Sequence, residues 1–201
     1  MPILIILRHG QSTYNLENKF TGEVDIDLSP QGEMEAKHAE ILLKNYKIDL
    51  AFTSVLKRAI HTLAIVLAEI KQKVPIFKSK ALNERNYGDL QGLNKTETEK
   101  KFGEAQVFLW RRSFDISPPN GESLKDTFER VVPYFQQKIE PKLRANKNIL
   151  IVAHGNSLRA LMMYLENIGA KDIAEIDLAT GIPRVYEFAA DLKLLHVKYL
   201  S

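Results

Sequence analysis

Ile3-Leu4-Ile5-Ile6-Leu7-Arg8-His9-Gly10 begins as an unbroken aliphatic run and closes on a guanidinium, an imidazole and a glycine. Five aliphatic residues are too few to span a bilayer or to form the apolar stretch of a secretory leader, and no small-residue cleavage pattern follows them. A short apolar run that stops at a turn signal fits a strand buried on both faces. Two later stretches repeat the pattern. Asp49 to Thr53 leads through Ser54 into Val55 to Ile70, where Val55, Ala59, Leu63, Val66 and Ile70 recur at helical spacing. Asn148 to Ala153 leads through His154-Gly155 into a helix expected from about Ser157 to Asn167. The helix that follows the first strand is expected to open at Ser29-Pro30, with serine as N-cap and proline at the first helical position.

Strands alternating with helices predict an α/β fold, a mostly parallel central sheet with helices on both faces, formed by residues 1–201 as a single domain. No internal repeat, low-complexity tract or Gly/Ser linker divides the chain. Asp115 to Gly121, with its Pro118-Pro119-Asn120-Gly121 turn signal, reads as a surface loop, and Lys193 to Tyr199 as a strand. In such sheets ligands bind beyond the carboxyl ends of the strands. Arg8-His9, Thr53-Ser54 leading to Arg58, and His154-Gly155 all follow such an end, so parallel strands bring them to one edge.

The chain holds 28 basic and 25 acidic residues for a net charge of +3, too slight a balance to point to a nucleic-acid or membrane partner. Cysteine is absent, which excludes disulfides, thiolate metal sites and cysteine nucleophiles and fits a reducing cytoplasm. Two imidazoles and two guanidiniums beside helix N-termini suit phosphate oxygens, and neutral imidazole is a competent nucleophile towards phosphorus. Phosphoryl transfer is the chemistry expected. No Gly-Lys-Ser/Thr phosphate loop and no aspartate cluster for magnesium is present, so the positive charge is expected from the protein itself. On residue type alone other readings stay open: the histidines as metal ligands or core residues satisfied by backbone, Arg58 as a solvated first-turn residue, Glu84 as a surface charge, and Arg111 and Arg112 as a solvated basic pair.

Leu7-Arg8-His9-Gly10-Gln11-Ser12, followed by Asn15, resembles the signature of the histidine phosphatase superfamily. Within it the chain is similar to the cofactor-dependent phosphoglycerate mutases, on blocks spread over nearly its whole length. They are Phe20-Thr21-Gly22, Ala51 to Ala59, Leu82-Asn83-Glu84-Arg85-Asn86-Tyr87-Gly88, and Leu90 to Lys95. Trp110-Arg111-Arg112-Ser113, Glu122 to Thr127, and Ala153-His154-Gly155-Asn156-Ser157-Leu158-Arg159 complete them. The resemblance implies a phosphoglycerate-mutase-like fold with His9 as the phosphoryl-carrying nucleophile. Arg8, Arg58 and His154 would surround the transferring group, and Glu84 would serve alternately as acid and base. Substrate contacts are implied for Gly10, Gln11, Ser12, Thr13, Tyr14, Asn15, Thr21, Gly22, Arg85, Asn86, Tyr87, Lys95, Gly155 and Asn156, with Arg111 and Arg112 as further cationic anchors.

The implied reaction interconverts 2-phosphoglycerate and 3-phosphoglycerate in glycolysis and gluconeogenesis. His9 gives its phosphoryl group to one hydroxyl, the bisphosphate reorients, and His9 takes the other group back; 2,3-bisphosphoglycerate is the primer and no metal is required. A phosphomonoesterase of the same superfamily, with water as the second acceptor, and a non-catalytic anion-binding domain are the alternatives. Two features depart from the family pattern. Only Asn120-Gly121 separates Pro119 from Glu122, where many members carry a longer excursion, and the chain ends at Ser201, soon after the predicted last strand. Less cover over the pocket, faster loss of the phosphoryl group from His9 to water, and a homodimer or monomer rather than a tetramer are the corresponding expectations.

Overall fold

The computed structural model describes residues 1–200. Six strands lie in one sheet: β1 (Ile3–Arg8), β2 (Leu50–Thr53), β3 (Ile76–Lys78), β4 (Ile149–Ala153), β5 (Pro183–Phe188) and β6 (Leu194–Tyr199), in the order β3-β2-β4-β1-β5-β6. β3, β2, β4 and β1 run parallel to one another, while β5 pairs antiparallel with both β1 and β6. The sheet is therefore mixed, and β1, β2 and β4 of its parallel part lie where the sequence predicts strands. β3 and β5 are strands that the sequence does not signal: β3 is only three residues long and follows the helix Lys57–Glu69 without an apolar run. Gly181 and Pro183 read as turn residues, yet proline is tolerated as the first residue of a strand, and Pro183 stands opposite Leu7 at that position.

β1 explains the arrangement. Leu4 and Ile6 point to one face and pack with Phe135, Ile139, Leu158 and Leu161; Ile5 and Leu7 point to the other and pack with Ala39, Leu43, Leu63 and Val66. Alternation with both faces apolar requires helices on both sides. The first layer consists of α6 (Leu124–Tyr134), α7 (Glu140–Arg144) and α8 (Gly155–Glu166), and the second of α2 (Pro30–Leu43) and α3 (Lys57–Glu69). A short α1 (Thr13–Leu16) follows β1, and the pair α4 (Lys95–Phe102) and α5 (Glu104–Arg112) covers a smaller cluster of Phe20, Leu90, Val107 and Trp110.

α2 begins where Ser29-Pro30 predicts, with the Ser29 hydroxyl accepting the Gly32 N–H at 3.1 Å. The other two boundaries shift. α3 starts at Lys57, leaving Val55 in the connecting turn and more than a third exposed, and α8 starts at Gly155 rather than Ser157. His154 is itself the N-cap of α8, so strand, imidazole and helix follow with no linker. Pro118 to Gly121 forms a tight turn fastened to neighbouring backbone: the Asp89 N–H donates to Pro119 at 3.0 Å, and the Gly121 N–H closes back on Pro118 at 3.0 Å.

Candidate active site

The carboxyl ends of β1, β2 and β4 lie level, with Arg8 opposite Ala153 and Thr53 opposite Val152. The residues that follow them meet at one edge. His9 leaves β1 buried, 3% exposed, with its N–H donating to the Ala153 carbonyl at 3.0 Å. The turn after it requires glycine. A Cβ on Gly10 would lie 2.1 Å from the Gly32 carbonyl oxygen, so only a bare backbone allows the start of α2 to press against the end of β1.

The His9 ring is oriented at both nitrogens. Nδ1 lies 2.7 Å from the Gly10 carbonyl, an acceptor only, so Nδ1 carries the proton of the neutral ring. Nε2 then holds the lone pair and receives a 3.3 Å hydrogen bond from Nε of Arg58. Burial, followed by the charges of Arg58 and Arg8, holds the His9 pKa well below the ordinary 6.5. Arg58, 1% exposed, reaches this position from the first turn of α3 and donates its other nitrogens to the carbonyls of Gly22 at 2.7 Å and Val24 at 2.9 Å. Burial lowers its pKa to about 10, which leaves it charged at neutral pH.

His154 is buried beside His9, with ring centroids 4.9 Å apart and Nε2 2.7 Å from the Ser54 hydroxyl. Burial, then Arg58 and His9, keeps it neutral as well. Arg8 donates to the Leu178 carbonyl at 2.6 Å, and its Nε is buried with no partner among the described residues. Glu84 completes the inner wall. Its Oε1 accepts the N–H groups of Arg85 at 2.8 Å and Asn156 at 3.0 Å, the latter at the start of α8. A Cβ added to Gly155 would stand 3.6 Å from Glu84 Oε2 and 3.7 Å from Arg8 Nε, which locates the carboxyl and the guanidinium across this glycine.

Arg8, His9, Arg58 and Glu84 line a cavity of about 190 Å³ that extends to Lys95, Arg111 and Arg112. Seven cationic side chains face it, Arg8, Lys19, Arg58, Lys95, Arg111, Arg112 and Arg159, against the carboxylates of Glu84 and Asp177. Arg111 bonds Glu99 at 3.1 Å, whereas Arg112 is only loosely paired with Asp177 at 3.9 Å. Burial, and then Arg111, lowers the Lys95 pKa. Tyr87 accepts from Arg85 at 3.0 Å and from the Asn156 amide at 3.3 Å.

Of the residues expected in the site, Asn15, Thr21, Gly22, Tyr87, Lys95, Arg111, Arg112, Gly155 and Asn156 line the cavity with Arg8, His9, Arg58 and Glu84. The rest stand behind its wall. The Gly10 N–H bonds Thr62 at 3.1 Å, and the Gln11 N–H bonds Glu35 at 2.8 Å. Ser12 caps α1 in a reciprocal pair with Asn15, Thr13 bonds the Asp27 carbonyl, and Tyr14 stacks under Lys19. Arg85 is fully buried and ties Tyr87 to the Arg111 carbonyl at 2.9 Å, while Asn86 is held by Glu122 at 2.9 Å. His154 touches His9 from behind.

Lys19, Phe20, Arg159 and Asp177 line the cavity without having been assigned there. Arg159 carried a readable signal, a guanidinium amid the apolar Leu158 to Met163 of a buried helix; it donates to the Asn156 side chain at 3.1 Å and to the Ile173 carbonyl. Lys19 and Asp177 carried none, since both lie in loops. Among the described residues no cluster of three or more metal-ligating side chains occurs, and no helix is long and apolar enough to cross a membrane.

Comparison with known proteins agrees with this geometry. The family model of the histidine phosphatase superfamily (branch 1) matches residues 4–197. A protein of Cytophaga hutchinsonii named 2,3-bisphosphoglycerate-dependent phosphoglycerate mutase is 60% identical over 201 residues, covering 100% of this chain and 94% of its own. One of Bradyrhizobium diazoefficiens with the same name is 53% identical over 192 residues, 94% of this chain and 93% of its own. Among solved structures, the mycobacterial glucosyl-3-phosphoglycerate phosphatase in complex with VO3 superposes with a TM-score of 0.85 at 23% identity, over 99% of this chain and 97% of that one. The α-ribazole phosphatase of Shigella flexneri superposes at 0.82 and 25% identity, over 97% and 95%.

Proposed function

This chain belongs to the histidine phosphatase superfamily, and we propose that it is a 2,3-bisphosphoglycerate-dependent phosphoglycerate mutase, interconverting 2-phosphoglycerate and 3-phosphoglycerate. The observation that carries the reading is the His9 ring, whose Nδ1 proton is committed to Gly10 while Nε2 faces Arg58 in a cavity lined by cations. Relatives at 46–60% identity carry the mutase name, so the phosphomonoesterase alternative is not favoured.

His9 Nε2 attacks phosphorus, and an N–P bond forms as the ester P–O bond breaks. Glu84 gives a proton to the departing oxygen and, in the reverse direction, takes one from the attacking hydroxyl, so a single carboxyl serves both steps. Arg8 and Arg58 neutralise charge on the phosphoryl oxygens as transfer proceeds, while His154, neutral and packed against His9, takes part through ring hydrogen bonding and not as a charge. Lys95, Arg111 and Arg112, at the outer end, hold the glycerate carboxylate and the phosphate that is not reacting. Gln11, Ser12, Thr13, Tyr14, Arg85 and Asn86 support from behind the wall.

The donor set suits a polyanionic phosphoester: seven cations converge on the cavity, among them Arg8, whose buried Nε has no partner among the described residues. When bound, 2,3-bisphosphoglycerate supplies the phosphoryl group that primes His9, and Arg8, Arg58, Arg111 and Arg112 would hold it. Charge neutralisation by these side chains supports a reaction without a metal. One catalytic domain over residues 1–201, in the cytoplasm, acting on small molecules rather than nucleic acid or membranes, completes the proposal. The exposed apolar edge β3, with Ile76 45% and Phe77 42% exposed, supports self-association as a homodimer, which light scattering would test. A coupled assay of 3-phosphoglycerate conversion, with and without the primer and with a chelator, tests the whole. Primer-stimulated conversion unaffected by chelation is expected; phosphate release without conversion, or loss on chelation restored by a divalent ion, would overturn it.

A further inference from the structure

Outside the cavity, on α6, Arg130 donates to three carbonyls of one short stretch: Ala81 at 2.9 Å, Asn83 at 3.1 Å and Glu84 at 3.1 Å. Its Nε and Nη2 also form a two-pronged pair with Glu122, at 3.0 and 2.9 Å. Glu122 extends the hold, accepting the Asn86 N–H at 2.9 Å and returning its own N–H to the Asn86 carbonyl at 2.8 Å. After the turn Lys80–Leu82 this stretch has neither helix nor sheet partners for its carbonyls, and buried backbone groups require them. Arg130 and Glu122 supply those partners for the backbone on either side of Glu84.

We propose that Arg130, locked by Glu122, is a positioning residue for acid–base catalysis: it fixes the backbone beneath Glu84 so that the carboxyl meets the ester oxygen. The inference rests on the reading of Glu84 as the acid–base group. The Glu84 carboxyl is held in front by the N–H groups of Arg85 and Asn156, and its backbone from behind by Arg130. The two anchors lie on different helices, α8 and α6, so losing the rear one lets the segment move relative to the phosphoryl site. Misplacement of a catalytic group by about 1 Å can cost on the order of 100-fold in rate.

The test compares two phosphoryl donors in a single turnover, one whose leaving oxygen requires a proton and one whose leaving oxygen does not. With 2,3-bisphosphoglycerate the departing alkoxide takes the Glu84 proton as the His9 N–P bond forms. With 4-nitrophenyl phosphate the phenolate departs unprotonated. Formation of phosphorylated enzyme and the burst of nitrophenolate would be measured for the wild type, Arg130→Lys, Glu122→Gln and Glu84→Gln, with thermal unfolding of each. Arg130→Lys is expected to lose at least tenfold with the bisphosphate and under threefold with the aryl ester, at a nearly unchanged half-saturating concentration. Glu122→Gln, which preserves shape, is expected to show the same pattern at about threefold. Equal losses with both donors, or none with either, overturn the positioning role. Glu84→Gln separates the two levels: if it discriminates between donors and the Arg130 and Glu122 variants do not, only the positioning role fails. If Glu84→Gln does not discriminate, the acid–base reading fails first.

Discussion

Arg58 holds its guanidinium Nε 3.3 Å from Nε2 of His9, so the same cation that faces the phosphoryl site also suppresses protonation of the nucleophile. Charge for the transition state and a free lone pair in the ground state come from one contact. The acid limb of kcat/KM is accordingly expected below pH 6.5, the ordinary histidine value. Arg58→Met removes the second-largest cause of that depression after burial, so the limb should move up in pH while the plateau falls at least 100-fold. A pH–rate profile in which the limb stays in place would show that Arg58 does not act on His9.

Both buried histidines shape stability. His9 and His154 bind protons less readily folded than unfolded, so the unfolded chain takes up protons first as pH falls. Their contribution is fully present above pH 6.5 and is lost progressively below it, down to the depressed folded values. Denaturant midpoints at pH 7.5 and 5.5 should show this loss, and it should be smaller in His154→Asn. An equal loss in that variant would show that His154 does not contribute to the dependence.

Arg111 and Arg112 face the outer end of the cavity from the last turn of α5, one bonded to Glu99 and the other nearly free. Replacing both by alanine removes charge-assisted bonds worth roughly 1.5–3 kcal/mol each. Mutase kcat/KM should fall at least tenfold, and cleavage of an aryl phosphate, which offers no carboxylate, should fall less. Comparable losses in the two assays would place the pair at the phosphoryl site.

Asp177 is a carboxylate on the rim of a cationic cavity, 3.9 Å from Arg112, with its side chain 71% exposed. At that separation in water the attraction is on the order of 1 kcal/mol before salt screening. Asp177→Asn should free Arg112 for substrate and lower KM about twofold at low ionic strength, with the effect vanishing in high salt. A raised KM would mean that Asp177 orients Arg112 instead of competing for it.

β1, β2 and β4 were legible because Ile3 to Leu7, Asp49 to Thr53 and Asn148 to Ala153 are locally apolar and each ends on a chemically unusual residue, whereas the three-residue β3 was not. That same punctuation marked His9, Arg58 and His154. β5 was illegible because Gly181 and Pro183 signal a turn, and only pairing with β1 turns that signal into a strand start. Glu84 and the outer arginines were readable through resemblance alone, since their local sequence is that of a solvated surface. Arg130, Glu122 and Asp177 escaped because their significance lies in contacts across tens of residues, as in the Arg130 bond to Ala81, which no local pattern encodes.

The phosphoryl-carrying role of His9 is tested most directly by incubating wild type and His9→Ala with 2,3-bisphosphoglycerate labelled in its phosphoryl groups and measuring protein-bound label. The wild type should take up close to one equivalent as an acid-labile, alkali-stable adduct on His9 Nε2, and His9→Ala should take up none. Full labelling of His9→Ala, or an acid-stable adduct on the wild type, would contradict the role of His9.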